Sequence, residues 1–295
     1  MNLRAPAKVN LYLKVVGKRP DGYHELLTLM MPIRLFDEIV LEKADTGISV
    51  RAPGCGCNER NNLAFKAAEL FLKETGVRAG VSIRISKRIP PGAGLGGGSS
   101  DASSVIMGMN ELFKTGLSRT ELMKMAGKIG ADCPFFFLGR PYLMGGRGDV
   151  PLHEVTLEPR SYFIVTPPLE ISTAKVYSHL KCPLTRERKS YKIINEVAKK
   201  GIAPEQWLEN DLEKPAFGIC PELERVRSEL LDAGALGVIM SGSGSSVLGI
   251  FQNEEHLCSG MSRIRRHEGY RYVPTTSLTG GSHGDYRGKG VSGQG

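Results

Sequence analysis

Residues 90–102 read Pro-Pro-Gly-Ala-Gly-Leu-Gly-Gly-Gly-Ser-Ser-Asp-Ala, and five of the seven residues from Gly92 to Gly98 are glycine. Before this stretch, Val81, Ile83 and Ile85 alternate with Ser82, Arg84 and Ser86, the period of a strand. After it, Ala102, Val105, Ile106, Met109, Leu112 and Phe113 fall on one face of a helix. Glycine tolerates φ > 0 and lets the backbone come close to a ligand. A helix N-terminus offers unpaired N–H groups and the positive end of a dipole, which suits phosphate. Ser99 and Ser100 stand where a cap would sit. The segment Pro90, Pro91, Gly92, Ala93, Gly94, Leu95, Gly96, Gly97, Gly98, Ser99, Ser100 therefore reads as a cradle for the phosphates of a nucleotide.

Gly92, Gly94 and Gly97 spell G-x-G-x-x-G, a weak signal alone. A dinucleotide-binding βαβ unit needs the first glycine at the strand's end, whereas Arg88-Ile89-Pro90-Pro91 intervenes here. A P-loop needs Gly-Lys-Ser/Thr, and none of the Gly-Lys pairs, at Gly17, Gly127 and Gly288, continues that way. A protein kinase needs His-Arg-Asp and Asp-Phe-Gly, and neither occurs.

The 295 residues are 41% hydrophobic and 24% charged, ordinary for a globular chain of one large or two medium domains. There is no apolar run of membrane-spanning length, and the first residues lack the apolar core of a signal peptide, so a cytoplasmic protein is expected. The net charge is +8, and seven Lys or Arg against two Glu lie between Lys181 and Lys200. That run reads as a solvated basic helix over about 185–200; there is no basic stripe with interleaved aromatics, so an anionic small substrate is expected as partner, and neither nucleic acid nor a membrane. Six scattered cysteines suggest free thiols; Cys55-Gly56-Cys57 is the one close pair.

In chain order, Val9, Leu11, Leu13 and Val15 alternate with polar residues, as in a half-buried strand, and Arg19-Pro20-Asp21-Gly22 signals a turn. Residues 23–42 read as extended, broken near Pro32 and Asp37, with a further strand at 48–52. Asn61 or Asn62 can cap a helix bearing Leu63, Ala67, Leu70 and Phe71, closed by Gly76. The helix after the glycine loop ends at Gly116, and Ser118 to Glu121 forms a capping box for the next, which stops at Gly130. The pattern weakens over 145–159, where a domain boundary is expected. Strands at 162–166, 236–240, 246–251 and 270–275, with helices at 221–233 and 253–266, fit a four-stranded antiparallel sheet of the split βαβ type. Residues 280–295 are glycine-rich and nearly devoid of large apolar side chains, as in a disordered tail.

Several residues carry candidate chemistry. Asp132 follows a helix end in a short turn, where a carboxylate either bonds its own backbone or accepts a proton from a hydroxyl; the residues alone favour the first. Lys8 shares a strand face with Asn10, and a solvent-facing lysine is the commoner outcome. Tyr23 and His24 follow a turn, and Ser241 to Ser246 could be a hairpin linker.

Taken together, Pro-x-Gly-x-Gly-Leu-Gly-Gly-Gly-Ser-Ser-x-Ala, the N-terminal Ala5-Pro6-Ala7-Lys8-Val9-Asn10-Leu11 and Ser241-Gly242-Ser243-Gly244-Ser245-Ser246 resemble three motifs of the GHMP small-molecule kinases. The resemblance spans residues 4–278. It implies a two-domain α+β fold, with a ribosomal-protein-S5-domain-2-like first domain (1–155) and a ferredoxin-like second domain (156–279). Asp21-Gly22-Tyr23-His24-Glu25-Leu26, Gly130-Ala131-Asp132-Cys133-Pro134-Phe135 and Asn210-Asp211-Leu212-Glu213 are similar to one branch, which phosphorylates the 2-hydroxyl of a cytidine diphosphate conjugate of methylerythritol in non-mevalonate isoprenoid biosynthesis. The resemblance makes Asp132 the catalytic base and Lys8 its partner, with ATP and Mg²⁺ as cofactors and no metal ligands assigned. It puts Asn10 at the erythritol end, Tyr23, His24 and Tyr177 around the cytosine, and Gly242, Ser243 and Gly244 over the substrate. Lys87 and Asn62 would line the adenine pocket. A GHMP kinase for another alcohol, such as mevalonate or homoserine, is one competing reading. A nucleic-acid-binding protein using the basic run is a second, and a degenerate member that binds nucleotide without catalysis is a third, which the presence of both Lys8 and Asp132 argues against.

Overall fold

The computed structural model describes residues 1–180, 203–206 and 208–278. The basic run at 181–200 and the glycine-rich tail at 280–295 lie outside the described residues.

Two long strands form the spine. β1 (Asn2–Lys18) and β2 (His24–Ala44) pair antiparallel from Asn2↔Val40 to Lys18↔His24. The interruption expected in β2 near Pro32 and Asp37 does not end the strand. Pro6 pairs Phe36 while the next residue, Ala7, pairs Ile33, so Arg34 and Leu35 bulge from the ladder. β3 (Ile48–Arg51) pairs parallel with β4 (Gly80–Ser86), and β4 pairs antiparallel with β2. The weakly patterned stretch over 145–159 holds structure: β5 (Tyr142–Gly145) and β6 (Val150–Glu154) form a hairpin on β2. Its strands are short and its turn is glycine-rich, which is why apolar alternation does not reveal it. A two-residue strand, β8 (Glu209–Asn210), comes from the second half of the chain and joins the same sheet, parallel to β1.

Helices α1 (Leu63–Thr75), α2 (Gly97–Phe113) and α3 (Arg119–Gly127) cover one face. Asn62 caps α1 by accepting from Ala64 N–H at 2.9 Å, and Gly76 closes it with φ 69°. The Ser118–Glu121 capping box forms reciprocally. α2 and α3 stop three residues short of the expected glycines; Lys114 terminates α2 in the left-handed region. Phe71, Ile83, Val105, Ile106 and Met109 fill the core between this layer and the sheet.

The second sheet is fully antiparallel, in the order β11 (Arg271–Thr276), β7 (Ser161–Thr166), β10 (Val247–Phe251), β9 (Gly237–Met240). Helices Glu222–Asp232 and Glu254–Arg263 pack on it through Leu223, Val226, Leu230 and Leu257. A third apolar cluster joins the halves, with Ala7, Val9 and Leu11 of β1 against Tyr162, Ile164, Ile239 and Ile250. β1 is therefore buried on both faces from Ala5 to Leu13, not half-buried, because one face meets the second sheet and the other meets the glycine loop.

Phe71 is fully buried at the centre of the helical layer. Phe71→Ala should lower the unfolding free energy by about 3–5 kcal/mol, read as a shift of the urea midpoint; a change under ~1 kcal/mol would show that the site collapses around the gap.

Candidate active site

β1, the glycine loop, the turn after α3 and the serine–glycine turn after β9 meet around one cleft of about 1180 Å³. Gly92, Gly94, Gly96, Gly97, Gly98 and Ser99 line one side of it. α2 begins at Gly97, three residues earlier than a cap at Ser99 would start it, and its N-cap is Gly96, at φ 69° and without a side-chain cap. Ser99 and Ser100 are therefore first-turn residues and not caps. Ser100 N–H reaches Gly96 O at 2.9 Å, so the N–H groups of Gly97, Gly98 and Ser99 precede the first intrahelical bond. Three N–H groups and the dipole of a 17-residue helix thus face the cleft.

Two glycines are required by what approaches them. A Cβ on Gly94 would lie 2.1 Å from Ser241 O, and one on Gly96 would lie 2.9 Å from Lys8 Cγ and 3.0 Å from Phe136 Cζ. These approaches are fixed by hydrogen bonds: Lys8 N–H to Leu95 O at 3.0 Å, Ser241 Oγ–H to Gly94 O at 2.9 Å, and Ser246 N–H to Ala93 O at 3.1 Å.

Lys8 is buried, with its Nζ 3.3 Å from Asp132 Oδ2 and donating to Asn10 Oδ1 at 2.6 Å. Asn10 Nδ2 donates to Thr28 Oγ1, which donates to Tyr12 O. The chain of bonds fixes the orientation of the Asn10 amide. The Asp132 carboxylate makes no capping bond to the turn that follows it, Cys133–Phe137, and its side chain is 32% exposed to the cleft. The carboxylate is held by a cation on one side and open to a hydroxyl on the other.

At the far end of the cleft, the His24 ring stacks on Tyr177 with centroids 4.7 Å apart. Burial pushes the Tyr177 phenol up and holds the His24 imidazole below its usual value, with the Lys18 charge adding to the latter. Tyr23 is 56% exposed, and the Arg147 guanidinium lies 4.9 Å over its ring. Ser243 Oγ, paired with Thr173 Oγ1 at 2.8 Å, closes this side, whereas Gly242 lies by the lysine, a Cβ on it 3.4 Å from Asn10 Oδ1 and 3.6 Å from Lys8 Nζ. Arg147 was missed by sequence reasoning because Gly145-Gly146-Arg147-Gly148 looks like a linker. The signal was there: a lone arginine between glycines, in a hairpin turn that folds back over β2. Thr28 was hidden inside a hydrophobic strand.

Lys87 and Asn62 do not line the cleft. Lys87 is buried between Asp37 and Asp101, bonding the latter at 2.7 Å, and the Asp37 carboxylate also accepts from Arg88 N–H and Ile89 N–H. Asn62 is committed to its cap. Leu95 and Ser100 are buried behind the loop, and Gly244 backs it, its carbonyl 3.0 Å from a Cβ placed on Gly94. The Lys87 cluster ties the strand entering the glycine loop to the helix leaving it, so Asp101 positions the loop without capping α2.

The chain matches the GHMP kinase N-terminal domain model over residues 62–140 and the GHMP kinase C-terminal model over 192–266. It is 43% identical over 279 residues to the 4-diphosphocytidyl-2-C-methyl-D-erythritol kinase of Geobacter sp. (strain M21), covering 92% of this chain and 96% of that protein. It is 40% identical over 265 residues to the enzyme of that name from Thermus thermophilus, covering 90% and 93%. A crystal structure of 4-(cytidine 5'-diphospho)-2C-methyl-D-erythritol kinase superposes with a TM-score of 0.79 at 38% identity, covering 95% of this chain and all of that one. A homoserine kinase from Cytophaga hutchinsonii shares the fold, with a TM-score of 0.73 at 18% identity over 94% of each chain.

Burial, with Asp37 alongside, holds the Asp101 carboxyl up at about 7 against the pull of Lys87. Its Oδ1 has no hydrogen-bond partner among the described residues. Because the folded value lies above the unfolded one near 3.8, this group's contribution to stability is whole below about pH 4 and falls as the pH rises to about 7. Asp101→Asn should remove that fall. Between pH 5 and pH 8 its stability should gain on the wild type by about 1–3 kcal/mol in urea titrations; parallel profiles would mean that Asp101 is ionised throughout.

Proposed function

This chain belongs to the GHMP kinases and, within them, to the 4-diphosphocytidyl-2-C-methyl-D-erythritol kinases, and we propose that it transfers the γ-phosphoryl group of ATP to the 2-hydroxyl of 4-(cytidine 5'-diphospho)-2-C-methyl-D-erythritol with Asp132 as the base. The observation that carries this is the Asp132–Lys8–Asn10 array, opposite the open N–H groups of the glycine loop and in the same cleft as the His24–Tyr177 stack.

The first-turn N–H groups of α2 hold the ATP phosphates, and the loop glycines let the backbone approach them. Asp132 accepts the hydroxyl proton at a carboxylate oxygen, or orients that hydroxyl for in-line attack. Lys8 holds the Asp132 carboxylate in place and offers positive charge to the attacking oxygen. Asn10, fixed through Thr28, holds the acceptor's polyol end. Phosphoryl transfer through a loose transition state depends on this positioning and charge neutralisation more than on covalent help.

The donor set fits Mg²⁺ held mainly by the nucleotide. Among the described residues no cluster of three His, Cys, Asp or Glu could cage an ion, and Mg²⁺ characteristically takes one or two carboxylates together with substrate phosphates. The Ser99 hydroxyl, in the first turn of α2 on the cleft, is the protein group that would hold it, and it would neutralise charge on the nucleotide phosphates.

Tyr23, Tyr177 and His24 supply faces and an edge for a pyrimidine ring, with Gly242 and Ser243 over the acceptor. Mevalonate and homoserine have no ring to use them, so the aromatic end favours the cytidyl substrate over another small alcohol. Family membership favours a kinase over a nucleic-acid-binding protein. The two domains are taken as 1–155 and 156–279, with β8 reaching back into the first sheet. Turnover measured across a panel of alcohols tests the acceptor: the cytidyl conjugate should be phosphorylated and mevalonate and homoserine not, and the reverse pattern sinks this reading.

Asp132→Asn should lower kcat by about 10²–10⁴ with acceptor KM little changed; near-normal turnover would remove Asp132 from the proton transfer. Tyr177→Ala should cost about 1–3 kcal/mol of base stacking, seen as a raised acceptor KM with the ATP KM unaltered. An unchanged acceptor KM would rule out stacking on this ring.

A further inference from the structure

The loop between β3 and α1 carries Cys55-Gly56-Cys57, which the phosphoryl transfer does not use. Gly54 and Gly56 have φ 79° and 70°, and the turn they form brings the two sulfurs to 2.9 Å. Cys57 N–H donates to Cys55 Sγ at 3.3 Å. The contact between the two thiols holds the Cys55 thiol below its ordinary value and raises that of Cys57. Cys55 is half-buried and Cys57 exposed, whereas Cys133 is buried, its thiol pushed up to about 12 by that burial. An accessible thiol of lowered pKa beside a second thiol is the arrangement that exchanges with disulfides. Two thiolates with no third His, Cys, Asp or Glu beside them among the described residues fall short of a zinc site.

The location gives the pair a route to the site. The loop runs through the short turn Glu59–Asn61, closed by Asn62 N–H to Glu59 O at 3.1 Å, into Asn62, the cap of α1. Leu63, the next residue, lines the cleft, its Cδ1 3.5 Å from a Cβ placed on Gly98.

We propose that Cys55 and Cys57 are a dithiol modification site at the nucleotide end of the cleft, closed to an intramolecular disulfide by small disulfides of the glutathione type, and that closure weakens ATP binding through Asn62 and Leu63. In the first step the Cys55 thiolate attacks one sulfur of the small disulfide. The Cys55–S bond forms as the S–S bond breaks, and one thiolate leaves. In the second, the Cys57 thiolate attacks Cys55 Sγ, the Cys55–Cys57 bond forms, and the second thiolate leaves. The two thiol protons pass to the two expelled thiolates; the cysteines are oxidised and the small disulfide is reduced. Bond formation requires the sulfurs to close from 2.9 Å to ~2.05 Å, within the reach of a glycine-flanked loop. The bond tightens the loop that leads, through the Glu59–Asn61 turn, into the Asn62 cap. The effect on ATP rests on the function proposed above; the thiol chemistry does not.

The test equilibrates the full chain in glutathione redox buffers, maps its peptides by mass, and measures the KM for each substrate. The wild-type 55–57 peptide should lose two hydrogens and retain no glutathione, and Cys55→Ser should keep glutathione on Cys57. The KM for ATP should rise several-fold on oxidation, recover with dithiothreitol, and stay constant in Cys55→Ser/Cys57→Ser, with the acceptor KM unmoved throughout. A peptide that stays reduced, or a wild-type chain that stops at the mixed disulfide, overturns the site. A closed disulfide with an unaltered ATP KM overturns its coupling to the cleft. A reduced chain without ATP turnover removes that coupling together with the proposed function, while the peptide masses still report on the thiols.

Discussion

The backbone of the glycine loop is wedged between β1 and the serine–glycine turn, and the rest of the site depends on that contact. Leu95 O takes the N–H of Lys8, Gly94 O takes the hydroxyl of Ser241, and Ala93 O takes the N–H of Ser246. Three consecutive carbonyls are thus used to join segments from both halves of the chain. Side chains at 94 and 96 would occupy the space that Ser241 and Lys8 already hold. Packing so close turns the loop's N–H groups outward at the start of α2 and places Lys8 beneath them. The loop is a structural joint as well as an anion cradle.

Buried charge around this joint is arranged in two sets, each satisfied in a different way. Lys8 sits against Asp132 and Asn10, and only Asp132 retains exposure to the cleft. Lys87 sits behind the loop against two carboxylates, both almost wholly buried. Unpaired charges in such places would carry a large desolvation penalty, so each lysine holds its neighbours in one geometry. The first set faces the reacting groups and the second holds the loop's two ends together. The same residue types, a lysine with aspartates, therefore serve different ends according to whether a carboxylate reaches the cleft.

Several features were legible in the residues themselves. The α1 cap and its glycine stop, the Ser118–Glu121 box, β4 and the strands of the second sheet follow from local period and capping chemistry, which act within a few residues. The continuity of β2 through Pro32 was not, because whether a strand survives a proline depends on its pairing: Pro32 stays in register opposite Lys8, and the bulge falls within β2 at Arg34 and Leu35. The hairpin at 142–154 was missed for a related reason: its pairing partner, β2, lies over a hundred residues away. Arg147 rides on that hairpin, and so it escaped notice with it.

What the sequence determined by itself was the phosphate-binding character of residues 90–100 and the resemblance to the GHMP kinases, since both rest on residue type and order. Only the tertiary structure decided which polar residues act together. Asp132 and Lys8 are 124 positions apart and meet at 3.3 Å because α2 packs both on β1 and on the turn Cys133–Phe137 that Asp132 leads into. Lys87 went to a buried cluster and not to the cleft, because Asp37 and Asp101 were there to neutralise it. Local preference reaches only a turn or two along the chain, whereas a charge buried in a protein interior takes the partner that folding brings to it.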